Sequence, residues 1–166
     1  MLGPRKDFLT WDEVWMGQAK IMSGRSKDPS TQVGACIVDD ENMPISVGYN
    51  GFPRHISNDI LPWDRDGDPL YTKYMYMCHA EENAIDNSDC SRERMKRSRI
   101  YVTLHPCNEC AKRIIQNGIK EVIYLSDKYH KYDSQIAARK MFELAGVVTR
   151  QLKIDKTIIV ELKNDE

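Results

Sequence analysis

Apolar positions along the chain change their period several times, and each change marks an element. Between Thr10 and Ser23, Trp11, Val14, Trp15 and Met22 form an apolar stripe, and Thr10 with Glu13 makes a capping box, so a helix opens there and ends at Gly24. Val33–Val38 and Ile45–Tyr49 are short β-rich runs around the turn-forming Asp39–Asn42, which predicts an antiparallel hairpin. From Asn50 to about Lys73, Gly, Pro, Asn and Asp interrupt every period. A loop of that length inside a compact domain usually serves or covers a site. Ala80 to about Asn87 reads as a short helix, followed by the basic stretch Arg92, Arg94, Lys96, Arg97, Arg99. Then come a strand at Ile100–Leu104, a helix with Pro106 in its first turn and Gly118 at its end, and a strand at Glu121–Leu125. Ser134–Ala145 is a helix closed by Gly146, Val147–Leu152 a strand, and Thr157–Leu162 a candidate final strand. Strand, helix, strand in succession requires crossovers and so a parallel portion of sheet. The expected architecture is a three-layer α/β/α domain with a mixed central sheet of about five strands, occupying residues 1–166 without repeat or linker.

Composition narrows the function classes. With 24 Lys and Arg against 25 Asp and Glu and 41% hydrophobic residues, the chain can build a core and carries no strong charge bias. A sequence pI near 6.4 argues against a surface made to hold a long polyanion, so a small substrate is expected and nucleic acid is not. The basic stretch has no interleaved aromatic residues for base stacking and reads as a solvated loop or subunit contact. No apolar run approaches the roughly 18 to 20 residues of a membrane span, and no hydrophobic signal segment follows Arg5 and Lys6. Neither a membrane nor a secreted protein is expected. The five cysteines, Cys36, Cys78, Cys90, Cys107 and Cys110, are an odd set without framework spacing. They point to a reducing, cytoplasmic setting in which closely spaced cysteines are metal ligands or redox pairs.

The chemistry concentrates in His79-Ala80-Glu81 and Pro106-Cys107-Asn108-Glu109-Cys110. Cysteines three apart at a helix start put both sulfurs on one face, where the helix dipole favours thiolates. One imidazole and two thiolates suit zinc, and three protein ligands leave the fourth tetrahedral position for water. Glu81, two residues from His79, points elsewhere than the ligand and is placed as a proton shuttle. Taken alone, C-x-x-C is equally a redox pair or half of a structural zinc site. H-x-E joined to P-C-x-x-C is the recorded signature of zinc-dependent nucleobase deaminases. Cys78, next to His79, and Cys36 and Cys90 read as packing residues. Tyr71, Tyr74 and Tyr76 with Met75 and Met77 form an aromatic and methionine patch, read as packing or a subunit interface.

Beyond that signature, the chain resembles the deoxycytidylate deaminases of the cytidine deaminase superfamily from about Phe8 to Arg150. The likeness lies in Arg25-Ser26-Lys27-Asp28-Pro29-Ser30-Thr31-Gln32-Val33-Gly34-Ala35, Gly48-Tyr49-Asn50-Gly51-Phe52-Pro53, Cys78 to Ile85, Pro106 to Lys112 and Ser126-Asp127-Lys128-Tyr129-His130. The resemblance implies zinc on His79, Cys107 and Cys110, Glu81 as proton carrier, Asn50 on sugar or base, and Arg25, Ser26 and Tyr129 on the 5′-phosphate. It further implies deamination of dCMP to dUMP for thymidylate synthesis, and a homo-oligomer, commonly a hexamer. It also implies activation by dCTP, inhibition by dTTP with magnesium, and an effector loop at Gly51, Phe52 and Pro53. Arg54-His55 stands where the family has a glycine soon after the proline, and Asp28-Pro29 where some branches carry a cysteine for a second zinc. One zinc per subunit is therefore expected.

Overall fold

The computed structural model describes residues 2–155 and 157–161. Five strands, β1 (Gly34–Val38), β2 (Pro44–Tyr49), β3 (Arg99–Leu104), β4 (Glu121–Ser126) and β5 (Val148–Gln151), form one sheet in the order β2-β1-β3-β4-β5. β1 is antiparallel to β2 and β3, whereas β3, β4 and β5 run parallel. Helices α4 (Asn108–Asn117) and α5 (Asp133–Ala145) are the crossovers between those parallel strands. The predicted mixed sheet is thus present.

Both faces of β1 are buried, and its alternation sorts the layers. Cys36 and Val38 turn to α1 (Trp11–Ser23) and pack with Met16, Ala19, Tyr101 and Ile123. Ala35 and Ile37 turn the other way, toward Ala84 of α2 (Ala80–Asp86), Ile114 of α4 and Phe142 of α5. The capping box of α1 forms as read: Thr10 N donates to Glu13 Oε2 at 2.7 Å and Glu13 N to Thr10 Oγ1 at 3.3 Å. Gly48 decides how close α2 comes to the sheet. A Cβ there would lie 2.2 Å from the Ala80 carbonyl oxygen and 2.4 Å from Ala84 N. The absent side chain lets the first turn of α2, with Glu81, sit directly on β2.

Three sequence expectations change. Pro106 precedes α4 rather than opening it, because Cys107 is extended (φ −78°, ψ 176°) and takes the capping position itself. The expected last strand is irregular over residues 157–161, and Leu162 lies outside the described residues. Instead of prolonging the sheet, Ile158 and Val160 border a groove with Met16 and Ile21 of α1, while Ile159 stays exposed. The basic stretch begins with the one-turn helix α3 (Arg92–Met95) and turns to acids of the β1–β2 turn, with Arg94 on Asp39 at 2.8 Å and Arg97 on Asp40 at 3.3 Å. No helix among the described residues is long and apolar enough to cross a membrane.

Candidate active site

Two helix starts meet beside the sheet. His79 is the N-cap of α2 and Cys107 the N-cap of α4, with Cys110 in the first turn of α4. His79 Nδ1 lies 3.4 Å from Cys107 Sγ and 3.4 Å from Cys110 Sγ. A nitrogen about 2.0–2.1 Å and a sulfur about 2.3 Å from one tetrahedral zinc stand about 3.5 Å apart, so the three side chains fit that ion. They are the only group of three such ligand residues found among the described residues. Arg113 of α4 fixes the two helices to each other by donating to Glu82 Oε1 at 2.6 Å and to Asp86. Glu82 Oε2 in turn accepts from the His79 amide at 3.3 Å.

The electrostatics of the triad fit a cation. Cys107 is lowered to about 4, first by the hydrogen bond it accepts from the Cys110 thiol and then by that from His79. The same contact with Cys107 raises His79 to about 9 and, with burial, carries Cys110 well above the usual thiol range. Protons shared in this way occupy the place that a dication takes. Glu81 stands outside the ligand set and is 4% exposed. Burial pushes its carboxyl up to about 7, so near neutral pH it can both accept and return a proton.

His79, Glu81 and Cys107 open onto a cavity of about 370 Å³, in the size range of small-molecule sites. A family model described as the cytidine and deoxycytidylate deaminase zinc-binding region matches residues 9–126. The chain belongs to the cytidine and deoxycytidylate deaminase family. It is 52% identical to the human deoxycytidylate deaminase over 158 residues, covering 93% of this chain and 88% of that one. The probable deoxycytidylate deaminase of Drosophila melanogaster is 47% identical, with 95% and 80% covered. Among solved structures, the apo dCMP deaminase of cyanophage S-TIM5 shares the fold at a TM-score of 0.64 and 24% identity, covering 85% of this chain and 96% of that one.

Within this hydrolytic deaminase the other sequence candidates separate. Asn50 and Tyr129 line the cavity; Arg25, Ser26, Gly51, Phe52 and Pro53 are not among its lining residues. Asn50 is 4% exposed and bound into the frame, its Oδ1 accepting from Val33 N at 2.8 Å and its Nδ2 donating to Thr31 O at 2.9 Å. Arg25 is exposed, with its guanidinium 5.9 Å from the centre of the Tyr49 ring. Gly51 pairs with Cys78, the residue before His79, through hydrogen bonds of 3.1 and 2.9 Å. Phe52 packs on Trp63, and His55 takes φ 71°, a left-handed conformation that glycine adopts more easily.

Several cavity residues were missed in the sequence. Tyr74 and Met77, read as packing or a subunit interface, line the cavity together with Arg65, Lys73, Asp28 and Thr31. Lys73 Nζ donates to both Asp28 carboxylate oxygens at 2.6 Å, with the two side chains 4% and 2% exposed. A lysine in a loop without periodicity gives no sign that it is buried, and its partner lies 45 positions earlier. Asp28 stands in the sequence as a motif position and in place of another branch's cysteine, and neither points to an ion pair.

Proposed function

We propose that this deaminase converts dCMP to dUMP and ammonia, using one zinc per subunit held by His79, Cys107 and Cys110. The reading is carried by one observation: three ligand atoms at zinc spacing beside a buried carboxyl that is outside the ligand set, opening into the cavity. The 52% identity to a deoxycytidylate deaminase over most of both chains supports dCMP as the substrate.

Zinc supplies Lewis acidity there, making water nucleophilic near neutral pH. The residues of the chain do the rest. Glu81 takes one proton of the attacking water and gives it to N3 of the pyrimidine so that C4 becomes electrophilic; it then takes the remaining proton of the oxygen added at C4 and gives it to the amine, so that the C4–N bond breaks, the C4 carbonyl forms and ammonia leaves. Its burial keeps bulk water from competing for that proton. Asn50 has one Oδ1 lone pair left after the Val33 amide, enough to accept a sugar hydroxyl. Tyr129 offers its hydroxyl to the 5′-phosphate.

Control by dCTP and by dTTP with magnesium, in a homo-hexamer that feeds thymidylate synthesis, belongs to the same reading and draws on the likeness to deoxycytidylate deaminases. The hydrogen bonds between Gly51 and Cys78 give a loop carrying Phe52 and Pro53 a short path to the ligand His79. Exposed Ile60, Leu70, Tyr71 and Met75 offer apolar surface for other subunits. A cytoplasmic setting agrees with five free cysteines.

Ammonia release from zinc-replete protein across dCMP, dCTP, deoxycytidine and a tRNA stem-loop tests the substrate, with dCMP expected to be preferred. Glu81→Gln should lower kcat by about 10²- to 10⁴-fold with zinc retained; near-normal turnover would remove Glu81 from the reaction. Saturation curves for dCMP with and without dTTP and magnesium test the control, and an unmoved curve would discard it.

A further inference from the structure

His79, Cys107 and Cys110 belong to two helices from separate parts of the chain. α2 follows the long connection after β2, whereas α4 joins β3 to β4. What packs between the two is short and apolar: Ala80 and Ala84 of α2 share one buried cluster with Ala111 and Ile114 of α4. Short side chains interlock little, so this contact sets the separation of the helices better than their sliding or tilt. The ligand atoms nevertheless stand in register, with His79 Nδ1 3.4 Å from each sulfur.

A polar device crosses the same interface. Arg113 donates from one guanidinium nitrogen to Glu82 Oε1 at 2.6 Å and from the other to Asp86. Arg113 stands three residues after Cys110, Glu82 three residues after His79, and Asp86 one further turn along α2. A guanidinium bound to two successive turns fixes slide and tilt together, which a single ion pair does not. The second oxygen of Glu82 accepts from the His79 amide at 3.3 Å, so one carboxylate joins the α4 cation to the backbone of the ligand. None of the three side chains lines the catalytic cavity. They are 39%, 30% and 56% exposed for Arg113, Glu82 and Asp86, so their attraction is open to screening by salt.

We infer that Arg113 is a positioning residue for the metal centre: by bridging Glu82 and Asp86 it holds α2 and α4 in register, and so sets how long His79, Cys107 and Cys110 retain zinc. The inference rests on the proposed zinc ligands and adds to them a residue outside both the ligand set and the cavity. Zinc leaves when one ligand lets go and the others follow. A released ligand that is kept within reach recaptures the ion before the next one parts, because its effective concentration stays high. This effect is opposite in sign to that of charge alone. A guanidinium near the ligands repels a dication, so through its charge Arg113 would hasten zinc release and its removal would slow it. A bridge between the helices does the reverse.

The test follows zinc release with time after zinc-loaded protein is mixed with an excess of a chromogenic chelator. Arg113→Leu should release zinc about tenfold faster than the wild type, the scale of loss that accompanies removal of contacts supporting metal ligands. Arg113→Lys keeps the charge but cannot span both acids, and should fall between the two. Lys112→Met removes an ion pair that stays within α4, Lys112 with Glu109 at 2.6 Å, and should release zinc at the wild-type rate. In about 1 M salt, where the Debye length is about 3 Å, the gap between wild type and Arg113→Leu should narrow. Release from Arg113→Leu at or below the wild-type rate overturns the inference, as does an equal acceleration in Lys112→Met. If Arg113→Leu does not fold, Arg113→Lys decides alone, and a rate equal to that of the wild type overturns the bridge. Wild-type protein that takes up no zinc, or a Cys110→Ala variant that keeps its full zinc content, instead refutes the proposed ligand set, and the role of Arg113 with it.

Discussion

The two ends of the cavity are built from different material. At the metal end, His79 and Cys107 cap two helices whose relative position is fixed by Arg113 bridging Glu82 and Asp86. At the other end, Thr31, Arg65 and Tyr129 arrive on three connections, joined by hydrogen bonds and the buried Lys73–Asp28 pair. The metal end thus stands on two helix starts, while the other end depends on contacts between separate connections.

Losing the ion should have the largest effect. Cys107→Ala or His79→Ala removes one of three ligands, so metal analysis should fall from one zinc per chain toward none and turnover should vanish. Because the other end needs no metal, the preference for dUMP over deoxyuridine should survive in a chelated, still folded sample. Next comes Lys73→Met, which leaves Asp28 buried and unpaired. Stability in urea should drop by about 3–5 kcal/mol, with part regained in Asp28→Asn/Lys73→Met. Gly48→Ala probes the frame from the sheet side: its methyl would meet the α2 backbone within 2.4 Å. A loss of about 1–3 kcal/mol and a lower kcat are expected, with little change in phosphate preference.

The smallest effect belongs to a pair away from both ends. Arg150 donates to Asp12 at 2.8 and 3.1 Å, and this contact holds the Asp12 carboxyl below the ordinary value of 3.8 despite partial burial. A depressed folded value means that the stabilisation is complete above the unfolded pKa and fades as pH falls through the folded one. Arg150→Ala should therefore cost about 0.2–1 kcal/mol at pH 7, and its melting curve should converge with the wild type below about pH 4.

The same division explains what could be read in advance. His79, Glu81, Cys107 and Cys110 sit in two short motifs whose spacing carries their geometry, and the strand–helix alternation after residue 99 implies the parallel half of the sheet. Lys128 reaches Thr31 across 97 positions and Lys73 reaches Asp28 across 45, and no local pattern announces either contact. Gly48 was visible as a letter in a motif, but its use, a close approach of α2, is a tertiary fact. The last apolar segment misled because a β-rich run does not reveal whether it will join a sheet edge or stay outside the sheet.

Cys107 and Cys110 carry a final consequence. As thiolates they would cancel the charge of a dication held between them, so an approaching anion would feel almost no long-range pull from the reaction centre. Guidance of an anionic substrate would then come from cations away from the metal ligands, and capture would be sensitive to ionic strength while the bond-breaking step would not.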